Sequence, residues 1–111
     1  MAMPRWLPQV LRRIQELAEA RRVLFTLKAR RELATLGLGL DQEDACDLLA
    51  RLESGDFTAR LVSSKTGEWL YVFKPTLAGA VLDVKVILRD ECVVISFHED
   101  EGAEHEEEDD D

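Results

Sequence analysis

The sequence predicts an α+β domain in which N-terminal helices cover a four-stranded, mainly antiparallel sheet. A change of pattern along its 111 residues carries this reading. Apolar residues recur at helical spacing as far as Leu52, then alternate with polar ones from Phe57 onward. The charge pattern bounds the domain: ten of the 23 acidic residues fall between Glu99 and Asp111, where no basic residue occurs. Residues 99–111 therefore read as an acidic, solvated tail on a single domain of residues 1–98.

The elements follow in order. Pro4 and Pro8 precede a pattern in which Val10, Leu11, Ile14, Leu17 and Ala18 share one face, predicting a helix from Pro8 to Arg21. Val23 to Thr26 is briefly extended. Thr26 is a natural N-cap for a second helix, Leu27 to Leu36, which Gly37 and Gly39 terminate. Asp41 caps a third, Gln42 to Leu52, whose early Glu43 and Asp44 suit the helix dipole. Beyond the Ser54-Gly55-Asp56 turn, strands are expected at Phe57–Ser63, Trp69–Lys74, Val81–Arg89 and Cys92–His98. Strict alternation would set Arg60 with Thr58 and Val62, opposite Phe57, Ala59 and Leu61. It would put Trp69, Tyr71 and Phe73 against the helices, and gather Asp83, Lys85 and Arg89 on one face of their strand. His98 would share a side with Val94 and Ser96.

Charge and cysteine usage narrow the function. The chain has 14 Lys plus Arg and a net charge of −9, so without the tail the body is almost neutral. Eight of the basic residues lie within residues 1–31. Such an end suits RNA or an acidic partner, and equally a solvated helix face. No uncharged run approaches the roughly 20 residues that a membrane span requires. Prolines and arginines interrupt the N-terminal stretch, so no signal peptide is read, and a cytoplasmic protein is expected. Cys46 and Cys92 lack C-x-x-C spacing and a His cluster. They read as buried hydrophobes in a reducing compartment, and neither a metal nor another cofactor is expected.

Polar residues at the C-terminal end of the sheet would make a phosphate site if their faces coincide. Histidine is the side chain that titrates nearest neutrality. His98 with Lys85, Lys74 and Arg60 makes a candidate catalytic set if their faces coincide. A solvated histidine at a strand end is the alternative reading.

Several motifs add a resemblance: Trp69-x-x-Val72-Phe73-Lys74-Pro75, Gly79-x-Val81, Val84-Lys85, and Val94-Ile95-Ser96-Phe97-x-Glu99. Leu36-Gly37-Leu38 and Leu52-Glu53-Ser54-x-Asp56-Phe57 extend it upstream. In these the chain resembles the MqsR family of bacterial ribonuclease toxins, which have a RelE-like fold, over roughly Val23 to Glu99. The resemblance implies a translation-associated mRNA endoribonuclease toxin of a type II toxin–antitoxin pair, with mRNA and the ribosome as candidate partners. Metal-independent cleavage of that kind needs a base for the 2′-hydroxyl, an acid for the leaving 5′-oxygen and cations near the phosphate. It also implies an antitoxin partner, a helix-turn-helix DNA-binding protein. At the family's polar positions this chain departs. Ala59 stands for a Lys, Leu70 for a Gln, Asp83 falls near a Tyr and His98 replaces a Lys, while Lys85 is kept. The substitutions leave a second reading open: a non-catalytic protein- or RNA-binding module on the same fold.

Overall fold

A computed structural model describes residues 3–101. Helix α1 spans Leu7–Glu19, with a proline in its first turn, and buries Leu7, Leu11, Ile14, Leu17 and Ala18. Arg21 ends it in the left-handed region at φ 60°, and its guanidinium bonds back to the Ala18 carbonyl at 2.9 Å. Strand β1, Val23–Phe25, leads into α2, Leu27–Ala34, capped as expected by the Thr26 side chain on the Ala29 N–H. Helix α3, Gln42–Ala50, starts with a capping box between Asp41 and Asp44. Each satisfies amide donors that a helix start leaves unpaired.

A short 3₁₀ turn at Ser54–Asp56 opens the sheet half of the chain. The remaining strands are β2 Phe57–Val62, β3 Trp69–Phe73, β4 Thr76–Leu77, β5 Ala80–Leu88 and β6 Cys92–Glu99. The sheet is mixed and six-stranded, ordered β1-β6-β5-β3-β2, with β4 paired to β5. The four predicted strands are all present, the extended stretch from Val23 to Thr26 proves to hold the short strand β1, and β4 was not predicted. Two residues are too few to show a period of two, so only pairing reveals β4. β1 is also the one parallel member, running alongside β6 with Val23 opposite Cys92 and Phe25 opposite Val94.

The helices lie on one face of the sheet. The core joins Leu11, Ile14, Leu17 and Leu49 to Tyr71, Phe73, Leu82, Val84, Val86, Val94 and Phe97. Two irregularities alter the faces that strict alternation predicts. In β2 the register shifts between Phe57 and Ala59, so Phe57, Arg60 and Val62 share the helix face, and Ala59 and Leu61 take the other. In β6 Val86 pairs Val94 while Lys85 pairs Ser96, which leaves Ile95 as an extra residue. Val94 and Phe97 both face the core, and Ser96 and His98 face away from it. His98 therefore does not share a side with Val94. A one-residue bulge inverts every side chain beyond it.

Among the described residues no helix covers the other face. Its far end is an apolar row, with Leu61 opposite Leu70, Ile87 opposite Val93, and Val93 opposite Leu24. Among the described residues no helix is long and apolar enough to cross a membrane. The strand β6 continues to Glu99, and Asp100 donates its N–H to the Val81 carbonyl at 2.8 Å, so the first acidic residues of the presumed tail are tied to the sheet. The rest of the expected tail, with His105, lies outside the described residues.

Both cysteines are free and buried. Burial, with a smaller contribution from Cys46, pushes the Cys92 thiol up to about 12 from its ordinary 9. A raised thiol pKa favours the neutral folded form. Its stabilisation is thus complete below pH 9 and is lost as pH rises toward 12. In the native protein at pH 8, alkylation of Cys92 should be limited by unfolding. Peptide mapping of iodoacetamide adducts should show rapid labelling only after denaturant is added.

Candidate functional site

The charged end of the uncovered face is assembled by strand register. Asp83 stands opposite His98, Lys85 opposite Ser96, and Val72 on the other flank of Lys85. Lys74 lies one residue past β3. Its N–H donates to the Asp56 carbonyl at 2.7 Å, and its ammonium pairs with Asp100 at 3.2 Å. The hairpin β4 turns at Ala78 and Gly79, both at positive φ, and returns the chain into β5 directly after Lys74 and Pro75.

Helix α2 closes the side of this end. β1 pairs with only the first three residues of β6, so the remainder of that edge would be bare. An unpaired edge N–H needs another acceptor. Glu32 supplies it: Oε1 accepts from the Phe97 N–H at 2.8 Å and lies 3.3 Å from the Ser96 hydroxyl. Lys28 pairs with Glu32 at 2.9 Å and reaches Ser96 Oγ at 3.1 Å. Burial pushes the Glu32 carboxyl up, but the Lys28 bond, the Phe97 N–H and the charges of Lys28 and His98 outweigh it. The carboxyl consequently lies below its ordinary value.

The His98 ring is oriented by backbone. Its Nδ1 lies 2.8 Å from the Glu99 carbonyl. A carbonyl only accepts, so Nδ1 carries a hydrogen and Nε2 is the nitrogen left for a ligand. Lys85 makes no hydrogen bond or ion pair among the described residues. Asp83 is 7% exposed, and its Oδ1 is shut off from solvent without a hydrogen-bond partner. With Lys74 and its partner Asp100, these groups offer two ammonium cations, an imidazole and two carboxylates, which suits binding a phosphodiester and moving protons beside it.

Three of the four predicted site residues, His98, Lys85 and Lys74, come to this end of the face. Arg60 does not. The bulge in β2 sets it opposite Tyr71 on the helix side, where its guanidinium stacks 4.1 Å from the Trp6 ring centre and 3.7 Å from that of Trp69. Trp69 is accordingly 46% exposed and holds a cation, while Tyr71 and Phe73 enter the core as predicted. Arg89 leaves the face for the β5–β6 turn and pairs with Glu68 at 2.7 Å. Sequence reasoning missed Lys28, Glu32 and Ser96. The available signals were the i,i+4 Lys–Glu spacing and one hydroxyl inside the apolar run Val93–Phe97.

Three of the eight basic residues at the N-terminal end are paired with carboxylates. Arg21 bridges Glu43 and Asp47, Arg22 reaches Glu91, and Lys28 holds Glu32. A groove of about 540 Å³ lies elsewhere, between α3 and β4, lined by Asp44, Asp47, Glu53, Asp56 and Arg51. Four carboxylates against one guanidinium make it unsuited to phosphate, so the sheet face is the better site despite being shallower. Among the described residues no group of three or more His, Cys, Asp and Glu could hold a metal ion.

A helical layer on one face of a mixed sheet, with a histidine and lysines on the other, defines a small α+β domain. The chain belongs to the MqsR toxin family, described as motility quorum-sensing regulator, toxin of MqsA, whose sequence model matches residues 8–99. No individual curated protein matches the chain.

Glu32→Ala should leave the Phe97 N–H without its acceptor and cost about 1–3 kcal/mol in urea unfolding. Because the carboxyl pKa is depressed in the folded state, the contribution is present above pH 4.5 and lost as pH falls through the folded value. The wild type and variant should therefore converge in stability as the medium is acidified.

Proposed function

We propose that the protein is an mRNA endoribonuclease toxin that cuts RNA without a metal, using the polar end of the uncovered sheet face. The observation that carries this reading is the juxtaposition of His98 and Lys85 there, with Nε2 of the histidine and the ammonium both unengaged. Lys85 and Lys74 bind the scissile phosphate, and His98 moves a proton. Family membership supports the context: an MqsA-type antitoxin with a helix-turn-helix domain neutralises the protein in the cytoplasm, and the substrate is mRNA, met on the ribosome or free.

Arg60 takes no part in this version of the site, since its guanidinium is held between two indoles on the helix side. Lys74 must exchange Asp100 for phosphate, a change available to a salt bridge that keeps some solvent exposure. These two engaged cations favour a second reading, a non-catalytic module that binds RNA or a protein partner through the same face.

The intact chain should cut a mixed-sequence RNA to products ending in 2′,3′-cyclic phosphate in the presence of EDTA. Lys85→Ala and His98→Ala should each slow cutting by about 10²-fold or more, the usual size of such acid–base and electrostatic effects. Arg60→Ala should leave the rate within a few-fold. RNA bound but never cut, with growth unaffected on expression, would select the second reading.

A further inference from the structure

Asp83 is the group on this face that the reading above leaves without a role. It is 93% buried by its 7% exposure, and its Oδ1 has no hydrogen-bond partner. The other carboxylates around it are engaged. Glu32 is held by Lys28 and the Phe97 N–H, and Asp100 by Lys74. A carboxylate this buried with no donor from the protein calls for an explanation, and a ligand that brings a donor to the face supplies one. The donor that completes it cannot be a phosphate, which a carboxylate repels, so it must be a neutral or cationic hydrogen donor.

The neighbours identify that donor. Asp83 faces His98 directly across the strands and lies two residues from Lys85 on the same side of β5. Cations that take a phosphate beside a carboxylate that takes a hydroxyl are complementary to a ribose 3′-phosphate with its adjacent 2′-hydroxyl. Deoxyribose lacks that hydroxyl.

We infer that Asp83 binds the ribose 2′-hydroxyl on the 5′ side of the scissile phosphate and acts as its general base. This rests on the ribonuclease reading and gives it a chemical division of labour. Asp83 accepts the proton of the 2′-hydroxyl as O2′ forms a bond to phosphorus. The bond from phosphorus to O5′ breaks, its electron pair going to O5′, which takes a proton from Nε2 of the His98 imidazolium. The products are a 2′,3′-cyclic phosphate and a 5′-hydroxyl. Asp83 is left protonated and His98 neutral, and water returns the proton from one to the other.

The test uses the intact chain and two probes, adenosine 3′-monophosphate and its 2′-deoxy analogue, titrated by NMR. The ribonucleotide should bind about tenfold more tightly, the size of one hydrogen bond to a charged group. Asp83→Ala should abolish the preference without loss of thermal stability, because the carboxylate has no protein partner to lose. Asp83→Asn should slow RNA cleavage by about 10²-fold, the usual size of a general-base contribution.

A preference for the ribonucleotide that survives in Asp83→Ala overturns the inference, as does a wild type that binds both nucleotides equally. Should the wild type show the Asp83-dependent preference yet cut no RNA, the ribose site stands and the ribonuclease reading falls. Conversely, cleavage that needs Lys85 and His98 but not Asp83 preserves that reading and removes Asp83 from it.

Discussion

Ile95 has no partner across β5, and the chemistry of the sheet depends on that extra residue. Before it, Cys92 and Val94 point into the helical layer; beyond it, Phe97 does so and Ser96 and His98 turn outward. Without the bulge, Phe97 would leave the core and His98 would enter it, at the combined cost of a lost aromatic contact and a buried imidazole. Burial of Phe97 thus fixes the side on which His98 appears. The position of the histidine is set by an apolar neighbour.

The same strand carries a second constraint. β1 ends after three pairs, and α2 takes over the edge, with Thr26 bonding the Val94 and Ile95 carbonyls and Glu32 accepting from Phe97. The helix cap, the edge closure and the lateral wall of the candidate site are therefore one local structure. It also explains why Glu32 remains ionised although partly buried: its acceptor role and Lys28 both favour the charged form.

Much of the fold could be read from the sequence because long elements announce themselves. The caps at Thr26 and Asp41, the apolar stripe of α1 and the alternation in β5 all depend on residues within one or two turns of each other. The site was only half legible. Lys85 and His98 lie on strands long enough to assign, but face depends on bulges, and a bulge is decided by what the whole sheet must bury. Arg60 was misassigned for that reason: the shift at Thr58 carried it round to Trp6, 54 residues earlier in the chain. Glu32 and Lys28 looked like an ordinary surface pair, because their strand partner lies more than sixty residues away.

That separation also governs when the wall of the candidate site can form. β1 and α2 emerge early in synthesis, yet their partner strand is nearly the last part of the domain to be made, with Thr26 and Ile95 69 residues apart. Parallel pairing over such a distance closes a long loop before it gains any contact, which slows folding relative to a chain built from local hairpins. The antiparallel strands β2 to β6 can zip sequentially, but the wall formed by α2 must wait for the final strand. In a nascent chain that wall is therefore incomplete until β6 has been made.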